Sequence, residues 1–180
     1  SSISDYFLNE TAQILCGSPV PSILDEVSEQ TENYPDLIER YFTRYYYKHS
    51  TDHLVLFHTN RICLIYLAPK HVAFTKGIKT INFDIGNCDR SQNAVSGKNK
   101  KGGMILQAES TLAKITCNDD SEYKIHSCIP GKLIEVNKRL VDNVDLISHP
   151  ESGYIGIILP KPEKCEQIKA NLLTSKQYLN

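Results

Sequence analysis

Histidine and cysteine are the residues here best suited to metal binding or nucleophilic chemistry, and their spacing argues against both. The six histidines (His49, His53, His58, His71, His126 and His149) fall into no zinc-type spacing. His53 and His58 are separated by an odd number of positions in one predicted strand, so they face opposite sides of it. The six cysteines (Cys16, Cys63, Cys88, Cys117, Cys128 and Cys165) form no CxxC pair. Cys63, Cys117 and Cys128 lie in apolar runs, where a reduced thiol behaves as a small hydrophobe. Gly97-Lys98-Asn99 lacks the Ser or Thr that a P-loop places on magnesium, and Gln92 stands where its first glycine belongs. No Gly-x-Ser-x-Gly elbow is present. The residue chemistry therefore points away from an enzyme, a metal site and a nucleotide cradle.

Three charged or aromatic stretches remain as recognition candidates. Arg40, Tyr41, Phe42, Arg44 and Tyr45 form an aromatic and basic run, Lys98, Lys100 and Lys101 a basic turn, and Asn118-Asp-Asp-Ser-Glu122 an acidic one. Packing on a core is the ordinary fate of the aromatics, and a solvated loop that of the lysines. The alternative is a docking patch for acidic protein surfaces or phosphates, with salt-sensitive attraction. The acidic turn has too few ligands for a firm cation site.

The elements that must position these residues are mainly strands. His53–His58 and Ile62–Leu67 read as a hairpin across Thr59-Asn60-Arg61, and Ile78–Ile85 alternates as a half-buried strand. Lys70–Gly77 reads as a loop and Gly86–Asn93 as a turn-rich connection. A strand enters at Met104. Leu112–Cys117 and Tyr123–Cys128 flank the acidic turn, whose residue types suit positive φ. Cys128–Pro160 organises the chain. After a Pro130-Gly131 turn, Lys132–Asn137 alternates with one face predicted apolar and the other polar, and Gly153–Leu159 is a second, Ile-rich strand.

Helices are predicted at Ser4–Cys16, at Pro35–Lys48 with the stripe Leu37, Ile38, Tyr41, Phe42 and Tyr45, and from Pro162 onward with Ile168, Leu172 and Leu173 buried. In the second of these, Arg40, Arg44 and Lys48 line a neighbouring face. Ile23, Leu24 and Val27 mark a short helix or partner-binding segment.

The chain has 180 residues, 41% hydrophobic and 23% charged, with a net charge of −1. That length accommodates one domain with appendages. The near-neutral charge gives no global reason to bind nucleic acid, and no apolar run is long enough for a membrane helix. Ser1–Asp5 lacks the pattern of a secretory signal, so an intracellular protein is expected.

Gly131-Lys-Leu-Ile-Glu-Val-Asn137, Leu140, Asp145-Leu-Ile147 and Gly153-Tyr154 resemble the second half of a glycine-cleavage H-protein, a lipoyl carrier. A more extensive resemblance, over roughly 37–178, is to the Abitram (Simiate) family. It is carried by Arg40-Tyr-Phe-Thr-Arg44, Asn60-Arg-Ile-Cys63, Val95-Ser-Gly-Lys98, Lys100-Lys-Gly102, Gly131–Asn137, Gly153-Tyr-Ile155, Leu172-Leu-Thr174 and Lys176-Gln-Tyr178.

The resemblance implies a mainly β barrel-sandwich hybrid: 1–33 a helical extension outside the match, 34–160 the amphipathic helix plus the barrel-sandwich, and 161–180 a C-terminal helix. Aligned on the carrier hairpin, the position that bears the modifiable lysine in H-proteins falls near Asp120, which cannot form a lipoyl amide. No cofactor is therefore expected, unless Lys114 or Lys124 serves in a shifted register. The resemblance further implies a non-enzymatic protein of nucleus and cytoplasm, associated with actin filaments, their polymerisation and transcription-linked nuclear bodies. Protein partners are expected, with residues 1–33 packing on the barrel or docking on another chain.

Overall fold

The computed structural model describes residues 41–96 and 101–180. The helix predicted at Ser4–Cys16, the short helix or partner-binding segment marked by Ile23, Leu24 and Val27, residues 35–40 with Arg40, and Lys98 and Lys100 lie outside the described residues.

In chain order the strands are β1 (Phe42–Lys48), β2 (Asp52–His58), β3 (Cys63–Leu67), β4 (Ile78–Asn82), β5 (Val95–Ser96), β6 (Lys101–Gly102), β7 (Ile105–Leu106), β8 (Thr111–Cys117), β9 (Glu122–His126), β10 (Gly131–Val136), β11 (Gly156–Leu159) and β12 (Leu173–Thr174). The helices are short: α1 (Val72–Lys76), α2 (Arg139–Asp142), α3 (Cys165–Asn171) and α4 (Ser175–Leu179). A seven-stranded sheet in the order β12-β1-β2-β3-β11-β10-β7 packs on a three-stranded sheet, β4-β8-β9, while β5 and β6 pair as a small separate ribbon. This is an open sandwich and not a closed barrel.

Its main core lies between the two sheets. Val55, Phe57, Ile65 and Leu67 from β2 and β3 meet Leu112, Ile115 and Ile125 from β8 and β9. Because successive side chains in a strand point to opposite faces, Leu54, Leu56, Leu64 and Tyr66 must project the other way, and they form a second apolar cluster with Tyr46, Ile134 and Ile157. Strands buried on both faces read as the unbroken apolar runs seen in the sequence. The predicted hairpin forms as expected, with Leu56 opposite Leu64 and Arg61 at a φ of 82° closing the turn.

Several expectations need correction. Phe42–Lys48 is a strand and not the second half of a helix. Aromatic and Thr residues fit a pleated, half-buried surface better than a helix, and the Phe42–Lys48 ladder with β2 runs unbroken from Phe42↔His58 to Lys48↔Asp52. Tyr45 and Tyr47 thus pack on the main core, whereas Phe42 and Tyr46 join the second cluster.

Lys132–Asn137 does not present a polar outer face. A bulge between Leu133 and Glu135 turns Leu133 and Val136 to the main core and Ile134 to the second cluster.

Within the predicted Lys70–Gly77 loop lies α1, capped by the His71 side chain, which accepts a hydrogen bond from the Ala73 N–H. The C-terminal helix is interrupted. Thr174 takes an extended conformation to cap α4, in a reciprocal capping box with Gln177, so α3 stops at Asn171 and Leu173–Thr174 pairs with β1. Through Cys165, Ile168 and Leu172, this segment belongs to the main core.

Candidate interaction surface

Three places gather functional side chains. The first is the tip of the β8–β9 hairpin. Asp120 sits there at a φ of 65°, a conformation that short polar side chains tolerate. Its carboxylate pairs with Lys79 of β4 at 3.3 Å, and Asp119 pairs with Lys76 of α1 at 3.2 Å. The hydroxyl and backbone N–H of Ser121 donate to Asp119, which with Lys76 holds its carboxyl down to about 2. Lys76 also reaches Ser121 Oγ at 3.1 Å and lies 5.3 Å from the centre of the Tyr123 ring. The Asn118 N–H bonds to the Gly77 carbonyl at 2.9 Å. This acidic turn is stitched to its neighbours by lysines that compete for the oxygens a cation would need. Lys114 and Lys124 stand opposite each other within the ladder, away from the turn.

The second place is a groove of roughly 430 Å³ beside β1 and β12, lined by Phe42, Thr43, Arg44, Tyr45, Thr174, Ser175 and Lys176. β12 pairs with β1 only at Tyr45 and Tyr46, so the opening lies along the part of β1 that β12 does not reach. Of the predicted candidates, Phe42, Arg44 and Tyr45 meet here. Tyr41 stacks on His58 at 6.3 Å. The strand conformation separates the stripe that a helix would have aligned. Lys176 is a cation of this groove that sequence reasoning did not single out, because its meeting with Arg44 depends on the interrupted C-terminal helix. Lys101 belongs to β6, where it is paired with Ser96 across the ribbon.

The third place is a histidine cluster that linear spacing could not reveal. His53 lies 5.6 Å from His126 and 6.3 Å from His71, ring centre to ring centre, and His49 lies 5.3 Å from His126. Tyr47 and Tyr123 close it off. Hydrogen bonds fix its tautomers. His53 Nε2 accepts from the His126 N–H at 3.0 Å, so Nδ1 carries the proton and donates to the Thr51 carbonyl. His126 Nδ1–H donates to the Glu109 carbonyl at 3.0 Å. Burial pushes the His53 imidazolium down to about 3, and its histidine neighbours oppose its charge as well. The His53 ring therefore acts as a neutral hydrogen-bonding strut that ties β2 to β9. Among the described residues no group of His, Cys, Asp or Glu is placed to hold a metal ion.

The five described cysteines carry free thiols, and Cys63, Cys117, Cys128 and Cys165 are buried. Burial pushes the Cys63 and Cys128 thiols up, away from the reactive thiolate. None of the described helices is long and apolar enough to cross a membrane.

No family model matches the chain. Individual proteins do. It is 52% identical over 179 residues to Protein Abitram of Drosophila melanogaster, covering 98% of this chain and 82% of that protein. To Protein Abitram of Homo sapiens it is 44% identical over 154 residues, 80% of this chain and 85% of the other. To that of Dictyostelium discoideum it is 39% identical over 134 residues, 69% and 75% respectively. In three dimensions it resembles the glycine cleavage system H protein of Mycobacterium marinum, with a TM-score of 0.51 at 13% identity, covering 74% of this chain and 92% of that one. At that identity the likeness speaks for fold alone. Carried by identity along almost its whole length, the chain belongs to the Abitram family.

Proposed function

We propose that this protein works by binding other proteins, on a carrier-type sandwich that has no attachment point for a swinging cofactor. The observation that supports this reading is the hairpin tip, where Asp120, the residue that the H-protein resemblance sets near the carrier position, is paired with Lys79. A carboxylate offers no amine for an amide-linked arm. What remains for function is surface recognition, and the Abitram resemblance supplies the partner class: actin filaments, in a protein acting in both cytoplasm and nucleus and linked to transcription.

The groove at Phe42, Arg44, Tyr45 and Lys176 suits such a role. It combines aromatic surface with two cations, the chemistry that meets an acidic protein surface. Lys98, Lys100 and Lys101 add positive charge to the same molecule.

Co-sedimentation with actin filaments over a range of salt concentrations tests the reading. Binding at low salt that weakens as salt rises is expected, because such charges are screened beyond ~8 Å at physiological ionic strength. Absence of binding at low salt would remove actin as the partner.

A further inference from the structure

On one side β1 pairs with β2 at every position from Phe42 to Lys48, whereas on its other side β12 pairs with it only at Tyr45 and Tyr46. Continued in the same register, Ser175 would stand opposite Arg44 and Lys176 opposite Thr43. Instead Thr174 caps α4. Its hydroxyl accepts from the Gln177 N–H at 3.2 Å, and its own N–H donates to Gln177 Oε1 at 2.9 Å. This capping box turns the chain off the sheet before it can cover the start of β1. Thr43 is exposed, Arg44 half-buried, and among the described residues no strand stands opposite these two on the β12 side. The groove beside β1 and β12 lies there.

An open strand edge takes up an extended peptide through main-chain hydrogen bonds, and the peptide's alternate side chains read the surface on either face of the sheet. Here the two faces differ. Side chains alternate along β1, so Arg44 projects to the same side as Phe42 and Tyr46, and Thr43 to the same side as Tyr45, which packs on the main core. Arg44 and Lys176 have no carboxylate partner among the described residues, and both line the groove. An added strand therefore meets a cation on one face and aromatic surface on the other.

Building on the proposed use of this groove for binding proteins, we infer that it takes an extended segment of a partner protein, alternating acidic and apolar residues, which joins the seven-stranded sheet alongside β1 and in line with β12. Charge complementarity to Arg44 and Lys176 selects this occupant over a basic or purely apolar one.

The peptide Ac-Glu-Val-Glu-Val-Glu-Val-Glu-NH2, titrated into the full chain at low salt, is the probe. Amide signals of Thr43, Arg44 and Thr174 should shift, while those of Lys114 and Lys124 on the other sheet stay in place. Two isomers, N-methylated at every Val or at every inner Glu, separate strand addition from plain charge attraction. Alternate N–H groups of a strand point to opposite edges, so one isomer should bind like the parent peptide and the other should lose binding. Arg44→Glu combined with Lys176→Glu should weaken the parent peptide about tenfold and confer binding of its Lys-for-Glu counterpart, a gain that a misfolded variant would not show.

No binding of the parent peptide, equal binding of both N-methyl isomers, or shifts scattered over both sheets would overturn the inference. Signals of Thr43 and Arg44 that move with protein concentration alone would assign this edge to a second copy and equally overturn it. Actin co-sedimentation fails separately. Peptide binding without actin binding leaves strand addition standing and removes actin as the partner, and actin binding without peptide binding does the reverse.

Discussion

His53 is fully buried, and burial is the chief reason its ring stays neutral, so acid stability can be read at this residue. The unfolded imidazole titrates near 6.5, whereas in the fold it titrates at about 3. Between those values the unfolded chain binds the additional proton, so stability is at its full value above about 6.5 and declines as pH falls towards about 3. His58, pushed down to about 4 by burial, adds in the same direction. Chemical denaturation at a series of pH values should show this slope, and His53→Phe should flatten it. The same variant leaves the His126 N–H without its acceptor, so at neutral pH it should be less stable by ~1–3 kcal/mol. The histidine cluster was invisible in the sequence because its members come from four places along the chain and meet only through sheet pairing. The place of Asp120 at the tip of the β8–β9 hairpin, by contrast, was legible directly, since a turn residue keeps its position relative to two well-patterned strands.

At the scale of elements, two sites test how the termini of strands and helices are set. Gly153 lies where an added Cβ would stand 2.5 Å from the His149 carbonyl oxygen, 2.6 Å from that of Ile147 and 2.8 Å from that of Leu146. None of these backbone atoms can swing aside as a flexible side chain would. Gly153→Ala should therefore destabilise the protein by ~1–3 kcal/mol, measured by denaturant titration. Thr174 caps α4 through a reciprocal pair with Gln177. Thr174→Ala should cost ~1 kcal/mol and loosen the Tyr178 stack on Tyr46, which a lowered melting temperature with altered tyrosine fluorescence would report.

The elements also show where pattern reading fails. Phe42–Lys48 has helical spacing and strand-forming residue types at once, and the β2 edge available for pairing decided between them. At β10 a bulge shifted an alternation that looked regular in sequence, because an inserted residue changes which face every later side chain meets. The β2–β3 hairpin was readable because its two continuous apolar runs are joined by a connection too short for anything else.

The molecule as a whole is an H-protein-like sandwich, and the proposed function holds that it carries no swinging cofactor. Its hairpin tip is acidic and bound to Lys76 and Lys79, and the two lysines closest to it in sequence on β8 and β9 face each other within the ladder. The most direct test is the intact mass of the full chain after co-expression with lipoylating and biotinylating enzymes, followed by peptide mapping. The unmodified chain mass of 20.3 kDa is predicted. A stoichiometric lipoyl or biotinyl adduct, at Lys114, Lys124 or any other lysine, would contradict the account.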